Sequence, residues 1–110
     1  MTAWIPVATV PAVAGLGPFG RDVPARGFEE LCLELKAGDR VRYQFRSNAD
    51  VDFNIHYHRG KEVFYPVKDT ATRSAVALFT APHADTYCLM WGRKGEGAAR
   101  IDGSVERSAR

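Results

Sequence analysis

Two of the three histidines in this sequence, His56 and His58, stand at i and i+2 in the stretch Val51-Asp52-Phe53-Asn54-Ile55-His56-Tyr57-His58. The two-residue period of a strand places Val51, Phe53, Ile55 and Tyr57 on one face and Asp52, Asn54, His56 and His58 on the other. Neutral imidazoles on one strand face can share an ion, so the first chemistry this spacing offers is ligation of copper or zinc. Such a site needs a further donor. Met90 is the first candidate, because thioether sulfur suits copper(I), and Cys88 would add a thiolate if unbonded. Asn54 is a poor ligand for a soft metal, His83 belongs to a turn, and Trp91 could stack on an ion held nearby. The competing reading is a polar outer face whose histidines are solvated or hydrogen-bonded to neighbouring strands.

Catalysis finds less support. A pairing of Cys88 with a histidine needs an activated thiol, and Tyr87-Cys88-Leu89 offers no electropositive or helix-terminal setting for one. No glycine-rich phosphate loop, nucleophile elbow or pair of carboxylates stands out, and Glu62 and His58 flanking a turn read as a surface contact. The sequence predicts a protein that is not an enzyme.

The elements that position these residues are short strands. Leu31, Leu33 and Leu35 alternate with Cys32 and Glu34, and Ala37-Gly38-Asp39 turns the chain toward Val41, Tyr43 and Phe45, a candidate hairpin. Ser47-Asn48-Ala49-Asp50 is a turn into the histidine strand, and Arg59-Gly60-Lys61 is a tight turn out of it. Glu62 to Val67 reads as a strand edged by Pro66, Lys68 to Arg73 as a polar loop, and Ser74 to Thr80 as another alternating strand. Thr86 to Trp91, apolar on both faces, belongs in the middle of a covered sheet, and Ala98 to Val105 is the last strand. The expectation is an all-β fold: a single antiparallel β-sandwich of seven to eight strands over residues 29–106. Before it lies an extended arm, residues 1–28, rich in proline and glycine; after it, a flexible tail, 107–110.

A chain of 110 residues supports one hydrophobic core. Its net charge of +2 is small and its basic residues are scattered, with Arg40, Arg42 and Arg46 on the solvated side of one strand, so no nucleic-acid partner is expected. Pro6, Pro11 and Pro18 with Gly15, Gly17 and Gly20 exclude a membrane span at the amino terminus. That segment reads as an arm, with a clipped export signal ending near Ala12-Val13-Ala14 as the other reading. The arm's Trp4, Ile5, Val7 and Phe19 are the material available to cover the second apolar face of the Thr86–Trp91 strand. Cys32 and Cys88 match no metal spacing, which leaves two free thiols or one disulfide. Exposed Tyr57, Phe64 and Tyr65 suggest a protein partner at a sheet face or edge.

Two families are resembled locally. Glu30-Leu31-Cys32-Leu33-Glu34 and Lys36-Ala37-Gly38-Asp39, taken with Thr86-Tyr87-Cys88-Leu89-Met90, resemble the GOLD-type β-sandwich of secretory-pathway cargo receptors. That resemblance implies that Cys32, in an early strand, bonds Cys88, just after a tyrosine in a late one. The run Phe79 to Tyr87, with Gly103 and Val105, is similar to the final strands of cupredoxins. The positions of that family's copper-ligating cysteine and histidine fall near Trp91 and Lys94, and no methionine follows Met90, so the likeness implies architecture and not blue-copper electron transfer. The expected molecule is a non-catalytic, disulfide-bonded binding module of the periplasm or the cell exterior. The alternative is a copper or zinc protein using His56, His58 and Met90.

Overall fold

Apolar–polar alternation and the turn residues that punctuate it produce six strands and no helix among the described residues, 17–109, of a computed structural model. The strands are β1 (Gly17–Val23), β2 (Phe28–Leu35), β3 (Arg40–Arg59), β4 (Glu62–Thr80), β5 (Asp85–Gly92) and β6 (Ala99–Ser108). They pair antiparallel in one sheet of order β1-β6-β3-β5-β2, with β4 on the other side of β3. The long β3 is the hub. Its first half, Arg40 to Ser47, pairs with β6, and its second, Asp52 to His56, pairs with β5. The hairpin partner β4 follows both halves, joined through Gly60 at φ 60°.

Six strands of one curled sheet stand where a sandwich of seven to eight was expected, because two stretches that read as loops lie inside strands. Ser47 to Asp50 belongs to β3 and Lys68 to Arg73 to β4, and the register slips between Arg46 and Val51 and again before Phe53. The Ser47 hydroxyl donates to Ala49 O (2.6 Å), and Asp52 Oδ1 accepts from the amide of Ala71 (2.9 Å), which sits at φ 53°. Turn chemistry here makes bulges that bend two paired strands together without reversing either. The bend brings Tyr43 and Phe45 of one half of β3 onto Phe53 of the other, at ring separations of 5.2 and 5.0 Å.

Three further expectations differ from the pairing. The Ala37-Gly38-Asp39 turn forms, with Lys36 N donating to Asp39 Oδ2 (2.9 Å), but β2 pairs with β5 and not with β3. Gly38 N donates to Ala81 O and Ala81 N to Asp39 O, which tie the turn to the end of β4 and carry the chain across to a new neighbour. Part of the expected arm is also sheet: Gly17 to Val23 pairs with Val105 to Ala99, and Phe19 lies 5.3 Å from Trp91. Trp4, Ile5 and Val7 lie outside the described residues. The expected tail is partly sheet too, since β6 runs to Ser108.

The core is aromatic at its centre. Phe53, Phe45 and Trp91 meet within 5.7 Å, surrounded by Val23, Leu31, Val41, Ile55, Leu89, Ile101 and Val105. Full burial of each such side chain is worth roughly 1.5–3 kcal/mol, so the aromatic contacts at the bend hold its two halves together.

Candidate functional site

Register builds the site on the face of the sheet away from the core. Across β3, β5 and β2, His56 stands opposite Cys88 and Cys88 opposite Cys32, while in the next same-face row Asn54 stands opposite Met90 and Met90 opposite Glu30. Cys32 and Cys88 are joined as a disulfide between directly opposed residues; the Cys88 side is buried and the Cys32 side exposed.

His56 is 5% exposed, well buried for a residue on the outer face. Its Nδ1 lies 2.7 Å from Asn54 Oδ1 and its Nε2 3.2 Å from a carboxylate oxygen of Glu30. Burial pushes the imidazole below its ordinary pKa; the Glu30 charge opposes that shift and His58 adds to it. Burial outweighs the short Glu30 contact, so the ring is neutral at pH 7. A neutral ring carries one N–H for two oxygen acceptors. The tautomer decides which of the two accepts it, and the other ring nitrogen keeps its lone pair.

The other residues singled out in the sequence are dispersed. His58 is exposed opposite Val63, with its ring edge-on to His56 at 5.3 Å. Met90 shares the histidine face, half-buried between Asn54 and Glu30. Asn54 orients His56. Trp91, the next residue along β5, points the opposite way and is fully buried in the core, so it cannot stack on anything held by the histidines. His83 stands over the core-side ring of Tyr57 at 4.7 Å and near Asp85, away from His56 and His58. The pair alternation was legible; Glu30 was not, because only the β2–β5–β3 register brings it to His56. Glu30, His56 and Cys88 each place one ligand atom within 4.8 Å of the other two.

A bulge frames this site on the β4 side. Ile55 pairs with Val67 but Tyr57 with Phe64, so Tyr65 and Pro66 together oppose His56. Proline has no N–H for the ladder, and the bulge accommodates it while bringing the Tyr65 ring to 5.8 Å from His56.

A second surface lies along β4, which pairs only with β3 among the described residues and so presents its other edge unpaired. Val76 (80% exposed) and Leu78 (50%) project outward opposite Gln44 and Arg42. Arg40, Arg42 and Arg46 occupy the same outer face, all exposed. The sequence showed these arginines but not the apolar pair set beside them.

Comparison with known proteins gives no matching family model and no matching curated protein. Solved structures do match. The chain is similar to an Aeromonas hydrophila periplasmic inhibitor of g-type lysozyme, PliG, with 13% identity and a TM-score of 0.61 over 88% of this chain and 93% of that one. It is similar to PliG of Salmonella Typhimurium at 10% identity and a TM-score of 0.56, covering 86% of this chain and 94% of that chain. The Yersinia pseudotuberculosis-derived mitogen matches at 9% identity and 0.55 over 84% of each chain. At these identities the likeness is one of fold, an all-β antiparallel architecture.

Proposed function

We propose that this protein is an exported, non-catalytic module that binds a protein partner through the outer face and free edge of β4. The observation that carries the reading is the exposed apolar pair Val76 and Leu78 on a strand with one edge unpaired among the described residues, beside Arg40, Arg42 and Arg46. Unpaired strand edges recruit extended segments, apolar side chains supply affinity, and arginines select carboxylates. The Cys32–Cys88 bond supports an oxidising compartment and removes the thiols as nucleophiles. Fold likeness to two periplasmic inhibitors makes a g-type lysozyme the first partner to test. Carboxylates flanking the scissile bond of a glycoside hydrolase are a chemical complement to an arginine row.

The test is titration calorimetry against a g-type lysozyme, with lysis of a cell-wall suspension as the second readout. Binding by the wild type that falls at least about tenfold in Val76→Glu/Leu78→Glu supports the reading. Binding unchanged in that variant sinks the β4 surface, and no binding by the wild type sinks lysozyme as the partner.

A further inference from the structure

We propose that reduction of the Cys32–Cys88 disulfide opens a zinc site in which the two freed thiolates join His56 and Glu30 as a four-donor set. Three of these residues already place a ligand atom within 4.8 Å of one another, and the fourth, Cys32, is bonded to Cys88. Tetrahedral zinc with bonds of about 2.0–2.3 Å sets its donors roughly 3.3–3.8 Å apart. The sulfurs must therefore separate, while the imidazole and carboxylate, already 3.2 Å apart, need come no more than about an ångström closer to them, movements of the size that side-chain rotation supplies. Strands β3, β5 and β2 hold the donors on one face in adjacent register rows, so the backbone needs no rearrangement.

The surroundings of His56 suit a ligand. Asn54 Oδ1 lies 2.7 Å from Nδ1, and an acceptor on that nitrogen leaves the Nε2 lone pair free to bind while fixing the ring. Nε2 lies 3.2 Å from a Glu30 oxygen, so with Nδ1–H on Asn54 the nitrogen and the carboxylate would face one cation together. Two thiolates with one imidazole and one carboxylate are a zinc set; a thioether-rich set would favour copper(I), and Met90 is not needed. The Cys32 side of the disulfide is exposed, which gives a reductant access.

The chemistry balances with a dithiol as reductant. Its two sulfurs close into a disulfide and give up two electrons and two protons; the Cys32–Cys88 bond breaks to two thiols, and zinc displaces both thiol protons to solvent. The site lies on the second half of β3, whereas Val76 and Leu78 oppose Gln44 and Arg42 in the first, so it can stand or fall independently of partner binding at that pair.

The experiment titrates zinc into the untagged protein, oxidised and reduced, against a chromogenic chelator, with cobalt(II) as a probe for thiolate-to-metal charge transfer. Reduced protein should bind one equivalent on the order of a hundredfold more tightly than oxidised protein. His56→Gln and Glu30→Gln should each weaken it by about tenfold or more, and His58→Gln should leave it unchanged. Reduced protein that binds zinc no better than Cys32→Ser/Cys88→Ser overturns the site. So does unchanged affinity in both His56→Gln and Glu30→Gln. If reduction unfolds the chain, zinc must restore its far-ultraviolet circular dichroism, and failure to do so overturns the proposal as well.

Discussion

At the scale of single residues, His56 shows what a strand period conveys and what it omits. Alternation placed His56 and His58 on one face, as the structure does, but gave them equal standing. One is buried, with an oxygen close to each ring nitrogen; the other is exposed. The difference comes from Glu30 and Tyr65, which reach His56 through strand pairing and a bulge and leave no local trace in sequence. A consequence can be measured. Because burial lowers the pKa of His56 in the folded state, the unfolded chain binds the proton more readily, and stability is present above the ordinary histidine value of about 6.5. It is lost as pH falls from there through the lower folded-state value. Chemical denaturation at a series of pH values should show that loss, and His56→Gln should flatten it in this window. A wild-type profile that is flat from neutrality down to the carboxylate range would show that the ring is not held neutral.

At the scale of elements, the strands after Glu30 were legible and their continuity was not. Ser47-Asn48-Ala49-Asp50 has the composition of a reversal, yet β3 passes through it because β6 pairs up to Ser47 and β5 takes over at Asp52. Only long-range pairing decides between a turn and a bulge. The same pairing explains Gly103, the β6 residue packed between Phe19 and Phe45 in register. A Cβ there would meet the carbonyl oxygen of Gln44 and come within 2.9 Å of Phe45 Cα, both backbone atoms that cannot rotate away. Gly103→Ala should therefore cost about 1–3 kcal/mol by forcing β6 off β3, read as a lower urea midpoint. Gly97, where an added Cβ meets nothing, is the matched control; equal effects at both positions would refute the close approach.

At the scale of the whole molecule, the sheet divides into two lobes that share β3, one of β6 and β1 and the other of β5 and β2. The sequence could not show this, since each lobe joins strands far apart in the chain. Arg21 of β1 closes the curl, reaching Glu29 at 3.3 Å and the carbonyl of Glu30 at 3.1 Å, both at the start of β2. Its ion pair is partly exposed and contributes little. The outer strand β2 is thus held by its pairing with β5, by its leucines in the core and by the disulfide. That bond spans a sequence separation of 56, for which loop-closure entropy gives about 4 kcal/mol, a large share of the 5–15 kcal/mol typical of a small domain. Cys32→Ala/Cys88→Ala should lower unfolding free energy by roughly that amount while leaving circular dichroism native. Because β2 has no second strand neighbour among the described residues, its amides should lose hydrogen-exchange protection before those of β3, which is paired on both sides. An unchanged denaturation midpoint would show that the β2–β5 pairing and the buried leucines hold the lobe without the bond, and uniform loss of protection across all strands would show that β2 does not open separately.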